Sequence, residues 1–152
     1  MHRILFICHG NICRSTMAES VMTELVRRAG RTDEFEIDSA ATSREEIGNP
    51  PHHGTVRKLK EVGIPVVPHR ARQIRADELA HWDIITYMDE ENLRGLRRIF
   101  GAAALDEAVS TGKIRRLLPD HDVADPWYTG NFDATYRDVL TGCQQLLEQL
   151  DN

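Results

Sequence analysis

The chain has 152 residues, 41% of them apolar and 28% charged, with a formal net charge of −5. That length suits a single domain, 1–152, with a sizeable core, and the acidic balance argues against a general nucleic-acid binder or a protein that docks on anionic membranes. Three cysteines do not make a secreted disulfide framework, no apolar run reaches membrane-span length, and the first apolar run is too short for a signal-peptide core, so the expected compartment is the reducing cytoplasm.

Ile4-Leu5-Phe6-Ile7 reads as a buried strand, and it runs into Cys8-His9-Gly10-Asn11-Ile12-Cys13-Arg14-Ser15. After that loop, residues 16–29 show helical apolar spacing through Met17, Val21, Leu25 and Ala29, with Ser15 as the expected cap and Gly30 as the stop. Glu19, Glu24, Arg27 and Arg28 are expected on the outer face of that helix. A strand that turns through a glycine-containing loop into a helix N-terminus is a ready anion site, because backbone N–H groups and the helix dipole point into it. Arg14 closes the loop with a guanidinium that can grip two oxygens of a tetrahedral anion. The same field favours a thiolate at Cys8.

A second strand is expected over 35–39, followed by a loop through Ser39 and on to Pro50-Pro51, at the sheet edge where ligands bind in α/β folds. Glu45 and Glu46 on that loop are expected to rim the site. A helix over 53–62 ends at Gly63, and His52 and His53 lack ligand spacing, so they read as solvated. His69-Arg70-Ala71-Arg72-Gln73 forms a polar connection, 76–81 a short helix, and 83–88 a third strand. Asp89 reads as a plain N-cap for a helix through Phe100. Residues 101–112 read as a loop or short helix, and 113–118 as a fourth strand that Pro119 stops. A loop over 120–130 carries Asp125-Pro126-Trp127-Tyr128, and the last helix, 132–150, has Cys143 on its apolar stripe. Alternating strands and helices predict an α/β fold: a four-stranded parallel sheet with helices on both faces and the phosphate loop after the first strand.

A phosphate ester also needs its leaving oxygen protonated, and Asp125, on a rigid Asp-Pro loop beside two aromatics, is the best candidate for that acid. Cys8 to Ser15, the Ser39 to Pro51 loop and Asp125-Pro126 together resemble the low-molecular-weight protein tyrosine phosphatase family. His69-x-Ala71-Arg72-Gln73 and Met88-Asp89-Glu90-x-Asn92-Leu93 extend the resemblance over nearly the whole chain.

The resemblance implies that Cys8 attacks phosphorus and forms a phosphocysteine. Arg14 and the amides of residues 9–15 hold the phosphoryl oxygens, and Asp125 acts as acid and then base. Asn11, Ser15, Ser39 and His69 form the network that supports the loop, Ser15 also assisting the Cys8 thiolate, and Trp127 and Tyr128 flank the substrate ring. It implies no metal and no cofactor, a phosphotyrosine-containing protein as substrate, and phosphate or vanadate as inhibitory oxyanions. Cys8 and Cys13, on one tight loop, are an expected redox pair. His9 departs from the aliphatic or small residue usual in the family, Trp127 from the usual tyrosine, and Glu45 from an aromatic common in eukaryotic members. Arsenate reductases need further reactive cysteines, but here the only later one is Cys143. Protein arginine phosphatases typically carry threonine where Ile12 stands.

Overall fold

In the computed structural model, which describes residues 1–150, the strands are β1 (His2–Cys8), β2 (Phe35–Ala41), β3 (Ile84–Tyr87) and β4 (Ile114–Arg116). All pair in parallel, in the order β2-β1-β3-β4. The helices are α1 (Arg14–Arg28), α2 (His53–Glu61), α3 (Glu90–Phe100), α4 (Ala102–Thr111), the single turn α5 (Pro126–Thr129) and α6 (Phe132–Gln149). The expected fold class is therefore observed. β1 alternates across the sheet: Ile4, Phe6 and Cys8 pack on one side with α1 and α6, while Leu5 and Ile7 pack on the other with Leu96, Leu105 and Ala108 of α3 and α4. A strand covered on both faces has to be a continuous apolar run. Among the described residues no helix is long and apolar enough to cross a membrane.

The chain leaves β1 toward β2 on one side and reaches β3 on the other, so the sheet order reverses at β1. The crevice at the carboxyl end of a strand at such a point is where α/β sheets bind ligands, and that is where the Cys8 loop lies.

Several boundaries differ from expectation. α1 starts at Arg14, so Ser15 lies inside it, and the capping position falls to Cys13, whose side chain makes no cap. Residues 101–112 hold the ten-residue helix α4, which the run Ala102-Ala103-Ala104 favours through propensity and which Gly112 ends in the left-handed conformation. β4 is limited to three residues. Glu19 and Glu24 are buried. Glu24 is neutralised by Arg27 and Arg28 on its own helix, whereas Glu19 turns toward the loop network described below.

At Gly142, α6 packs closely on the residue after β4, where an added Cβ would sit 2.4 Å from Leu117 Cγ. Gly142→Ala overpacks this contact and is expected to destabilise the fold by about 1–3 kcal/mol. Urea unfolding of the two proteins checks it. An unchanged or raised midpoint would show that the contact yields freely.

Candidate active site

The loop from Cys8 to Arg14 wraps round a cavity of about 380 Å³. Cys8, His9, Gly10, Ile12, Cys13 and Arg14 line it from the loop, Glu45 and Glu46 from the segment after β2, and Asp125, Trp127 and Tyr128 from the α5 turn. Sequence reasoning brought all of these together. Asp89 and Glu91, at the start of α3, complete the lining. Asn11 and Ser15 are buried and do not line the cavity.

Their burial explains the loop. Asn11 has φ of 60°, the only positive φ outside glycine among the described residues. Left-handed backbone costs an L-residue roughly 1–2 kcal/mol. The side chain offsets that cost: Nδ2 donates to Ser15 Oγ at 2.8 Å and to Ser39 Oγ at 2.9 Å. Oδ1 accepts from the Arg72 N–H at 3.2 Å and from His69 Nε2 at 2.7 Å. An amide oxygen carries no hydrogen, so His69 must be protonated at Nε2. The expected network of Asn11, Ser15, Ser39 and His69 is thus assembled in the structure.

Behind it lies a layer the sequence did not reveal. Ser39 Oγ donates to Glu19 Oε1 at 2.5 Å, and His69 Nδ1 faces Glu19 at 3.4 Å and Asp38 at 3.6 Å. Burial pushes the Glu19 carboxyl up to about 7, and burial also lowers the His69 imidazole. Arg72 bonds both Asp38 and Glu78. Glu19, Asp38 and His69 bring possible metal-ligating atoms within 4.8 Å of one another. All three, however, are engaged in protein hydrogen bonds or ion pairs, to Ser39, Arg72 and Asn11 respectively.

At the mouth of the loop, the Asn11 N–H donates to Cys8 Sγ at 3.3 Å, and Cys8 Sγ and Ser15 Oγ are hydrogen-bonded at 3.1 Å. Ser15 therefore serves the sulfur and not the helix cap. Cys13 differs: burial, then the charges of Cys8 and Asp125, push its thiol up to about 12, so it stays protonated. Cys143 is fully buried on α6, and burial alone pushes its thiol up.

Arg14 is only 3% exposed. Nη1 bonds Asp89 Oδ2 at 2.8 Å and the Val123 carbonyl at 3.2 Å, and Nη2 lies 3.3 Å from Asp125 Oδ2. Burial pulls the guanidinium down, but Cys8, Asp125 and Asp89 outweigh it and hold it charged. Asp89 is therefore more than a cap. Its Oδ1 accepts from Asn92 N–H at 3.0 Å while its other oxygen orients Arg14. The signal was its place after β3, beside β1 at the ligand edge. Asp125 caps α5 through Trp127 N–H at 3.1 Å. Trp127 and Tyr128 are 63% and 83% exposed, an open wall rather than a closed slot. His9 lies between Glu45 at 3.0 Å and Glu91 at 3.3 Å, so Glu45 is engaged within the rim. Glu46 accepts from Asn49 Nδ2.

A buried sulfur that accepts a backbone N–H and an oriented guanidinium facing a carboxylate can bind a tetrahedral oxyanion, attack its centre and move a proton. A family model described as low molecular weight phosphotyrosine protein phosphatase matches residues 3–152. The low molecular weight protein-tyrosine-phosphatase YfkJ of Bacillus subtilis is 40% identical over 156 residues, covering 99% of this chain and 96% of its own. Its crystal structure superposes with a TM-score of 0.88, covering 99% of this chain and 94% of that one. The human low molecular weight phosphotyrosine protein phosphatase is 39% identical over 96% of this chain and 94% of its own. The crystal structure of SP-PTP, a low molecular weight protein tyrosine phosphatase from Streptococcus pyogenes, is 37% identical and gives a TM-score of 0.86, covering 100% and 95% of the two chains.

Asn11→Ala should collapse the loop support, since each buried partner left unpaired costs about 1–3 kcal/mol. Asn11→Gly removes the backbone penalty but not the lost bonds, so it should recover only about 1 kcal/mol of that loss. Urea unfolding together with calorimetric titration of vanadate measures both. Wild-type vanadate affinity in Asn11→Ala would show that the side chain does not shape the cradle.

Proposed function

The chain belongs to the low molecular weight phosphotyrosine protein phosphatase family, and on that premise we propose that it hydrolyses phosphotyrosine in proteins, and aryl phosphates, by a metal-free cysteine mechanism. The observation that carries this reading is the convergence of Cys8, Arg14 and Asp125 on one cavity, with Arg14 Nη2 3.3 Å from the Asp125 carboxylate.

The phosphoryl group enters the loop with its equatorial oxygens on the amides and Arg14. Phosphate draws Arg14 from Asp125 toward itself and places negative charge beside the Asp125 carboxyl, the field in which a carboxyl keeps its proton. Cys8 Sγ attacks phosphorus, the P–O bond to tyrosine breaks, and Asp125 gives its proton to the departing phenolic oxygen. Water then attacks the phosphocysteine while Asp125 takes a proton from it, the S–P bond breaks, and phosphate leaves. Ser15 Oγ and the Asn11 N–H, already on the sulfur, stabilise the thiolate as leaving group. The charge that builds on phosphorus is met by the loop and Arg14, so no metal is required.

Ile12 sits in the cavity wall where a planar guanidinium would be crowded, which favours tyrosine over phosphoarginine. Phosphate and vanadate inhibit by occupying the same cradle. Cys13, close on the same loop and protonated, is placed to trap an oxidised Cys8 as a reversible disulfide. The free state of all three cysteines supports a reducing, cytoplasmic setting.

Asp125→Ala is expected to slow turnover by about 10²–10⁴-fold, the range of a general acid. The loss should shrink as the leaving phenol becomes more acidic. Steady-state rates over a series of substituted phenyl phosphates measure this, and a uniform loss across the series would remove Asp125 from the role.

A further inference from the structure

His52 lies outside the cavity lining, yet it touches three of the parts that build the site. Its backbone N–H donates to the Ile12 carbonyl at 2.8 Å. All peptide bonds described are trans, and a trans peptide points its C=O and N–H in opposite directions. Holding the Ile12 carbonyl outward therefore turns the Cys13 N–H to the other side, toward the interior of the loop. The His52 ring caps α2: Nδ1 accepts from the Gly54 N–H at 3.0 Å. Only an unprotonated nitrogen can accept, so the capping form is the neutral ring with its hydrogen on Nε2.

The same ring stacks on Phe132 at 5.5 Å and 20°, and it meets the edge of Trp127 at 6.3 Å and 80°. Phe132 opens α6 directly after the Asp125 turn, and it packs against Ile12 and Cys13 of the phosphate loop. The Trp127 backbone N–H donates to Asp125 Oδ1. The approach is tight: a Cβ on Gly54 would fall 2.3 Å from the Phe132 ring. His52 thus ties the start of α2 to the phosphate loop through its backbone N–H, while its ring reaches the segment that carries the acid through Trp127 and Phe132.

We infer that the neutral ring of His52 is a positioning element that seats the Asp125 turn against the phosphate loop, and that its protonation loosens this seat and slows turnover on the acid side. This rests on the phosphatase reading above. A protonated ring loses the Gly54 bond and puts a cation at the positive end of α2. The groups that face it divide as follows. His53, stacked at 4.2 Å, and Arg57 repel the charge, Glu46 attracts it, and the aromatic face of Phe132 offers a weaker attraction. Burial, His53 and Arg57 prevail over Glu46, so the ring titrates below its ordinary value of 6.5. The unfolded chain then binds the proton more readily than the folded one. The seat is complete above pH 6.5 and is lost as pH falls through the lower folded value.

The variants are His52→Asn, which keeps a capping oxygen without titrating, and His52→Ala, which keeps neither. Rates for phenyl phosphate and nitrophenyl phosphate are followed from about pH 7 to pH 5. The His52 ring is followed by NMR, and Trp127 by fluorescence in a Trp82→Phe background that leaves it the only tryptophan. On going to pH 5, wild type should lose a component of kcat of roughly two- to thirtyfold, the equilibrium factor carried by a lost N-cap. That loss should be larger for phenyl phosphate, whose leaving group depends on the acid, with KM little changed. His52→Asn should lack this component, and His52→Ala should show the low kcat at every pH. Trp127 fluorescence should shift with the same midpoint as the His52 ring. An acid limb in His52→Asn identical to wild type, or a Trp127 signal flat through the His52 titration, overturns the inference. The NMR and fluorescence arms need no substrate and no variant at His52, so they decide the matter even if the enzyme prefers another phosphate ester.

Discussion

The site depends on one residue held in an unfavourable backbone conformation. Asn11 adopts φ of 60°, and its amide bonds Ser15, Ser39, His69 and the Arg72 backbone at once. Its own N–H points at the Cys8 sulfur. Relaxing that one φ would turn the N–H away from the sulfur and break a network drawn from β2, α1 and the 69–73 connection. The cost of the left-handed residue, roughly 1–2 kcal/mol, is met by several buried hydrogen bonds worth about 1 kcal/mol each. The loop is therefore shaped before any ligand arrives, which is the condition for its dipoles to act without reorganisation during the reaction.

Charge is arranged with the same economy. Arg14 would be a buried lone cation without Asp89 and Asp125, and an unpaired buried charge is strongly unfavourable. The two carboxylates have different duties. Asp89 is fixed by capping α3 and stays with the guanidinium. Asp125 sits on a single-turn helix with two exposed aromatics, the freer mounting that its proposed departure from Arg14 calls for. The outer rim repeats the pattern more weakly, with His9 between Glu45 and Glu91. Such exposed pairs are worth about 0.2–1 kcal/mol, less than the buried pairs of Arg14.

What the sequence disclosed follows from how local each signal is. The meeting of Cys8, Arg14 and Asp125 at one cavity was legible because the residue types fall on a strand–loop–helix turn and on an Asp-Pro turn. The parallel sheet was legible from an apolar strand flanked by helical periodicities. Glu19 was misplaced on the outer face because helical spacing says where a residue projects, not what waits there. Its partners, Ser39 and His69, are 20 and 50 positions away in the chain. Asp89 was read as a cap, correctly, but its second oxygen reaches Arg14 75 positions away, and no local pattern records that. Ser15 illustrates the opposite error: its propensity suggested a cap it does not make, while the resemblance alone pointed to its place beside Cys8. His52 was read as solvated because two adjacent histidines carry no pattern, although one of them caps α2.

The central claim is that Cys8 carries the phosphoryl group between two half-reactions. The direct measurement is rapid acid quench of the protein, mixed with a labelled aryl phosphate, followed by peptide mass spectrometry. The Asp125→Ala variant should show phosphate on the Cys8 peptide building up within the first turnover. The label should leave when phosphate is released, and it should never appear on Cys13. Turnover without phosphate ever appearing on Cys8, or its appearance on another residue, would contradict the account.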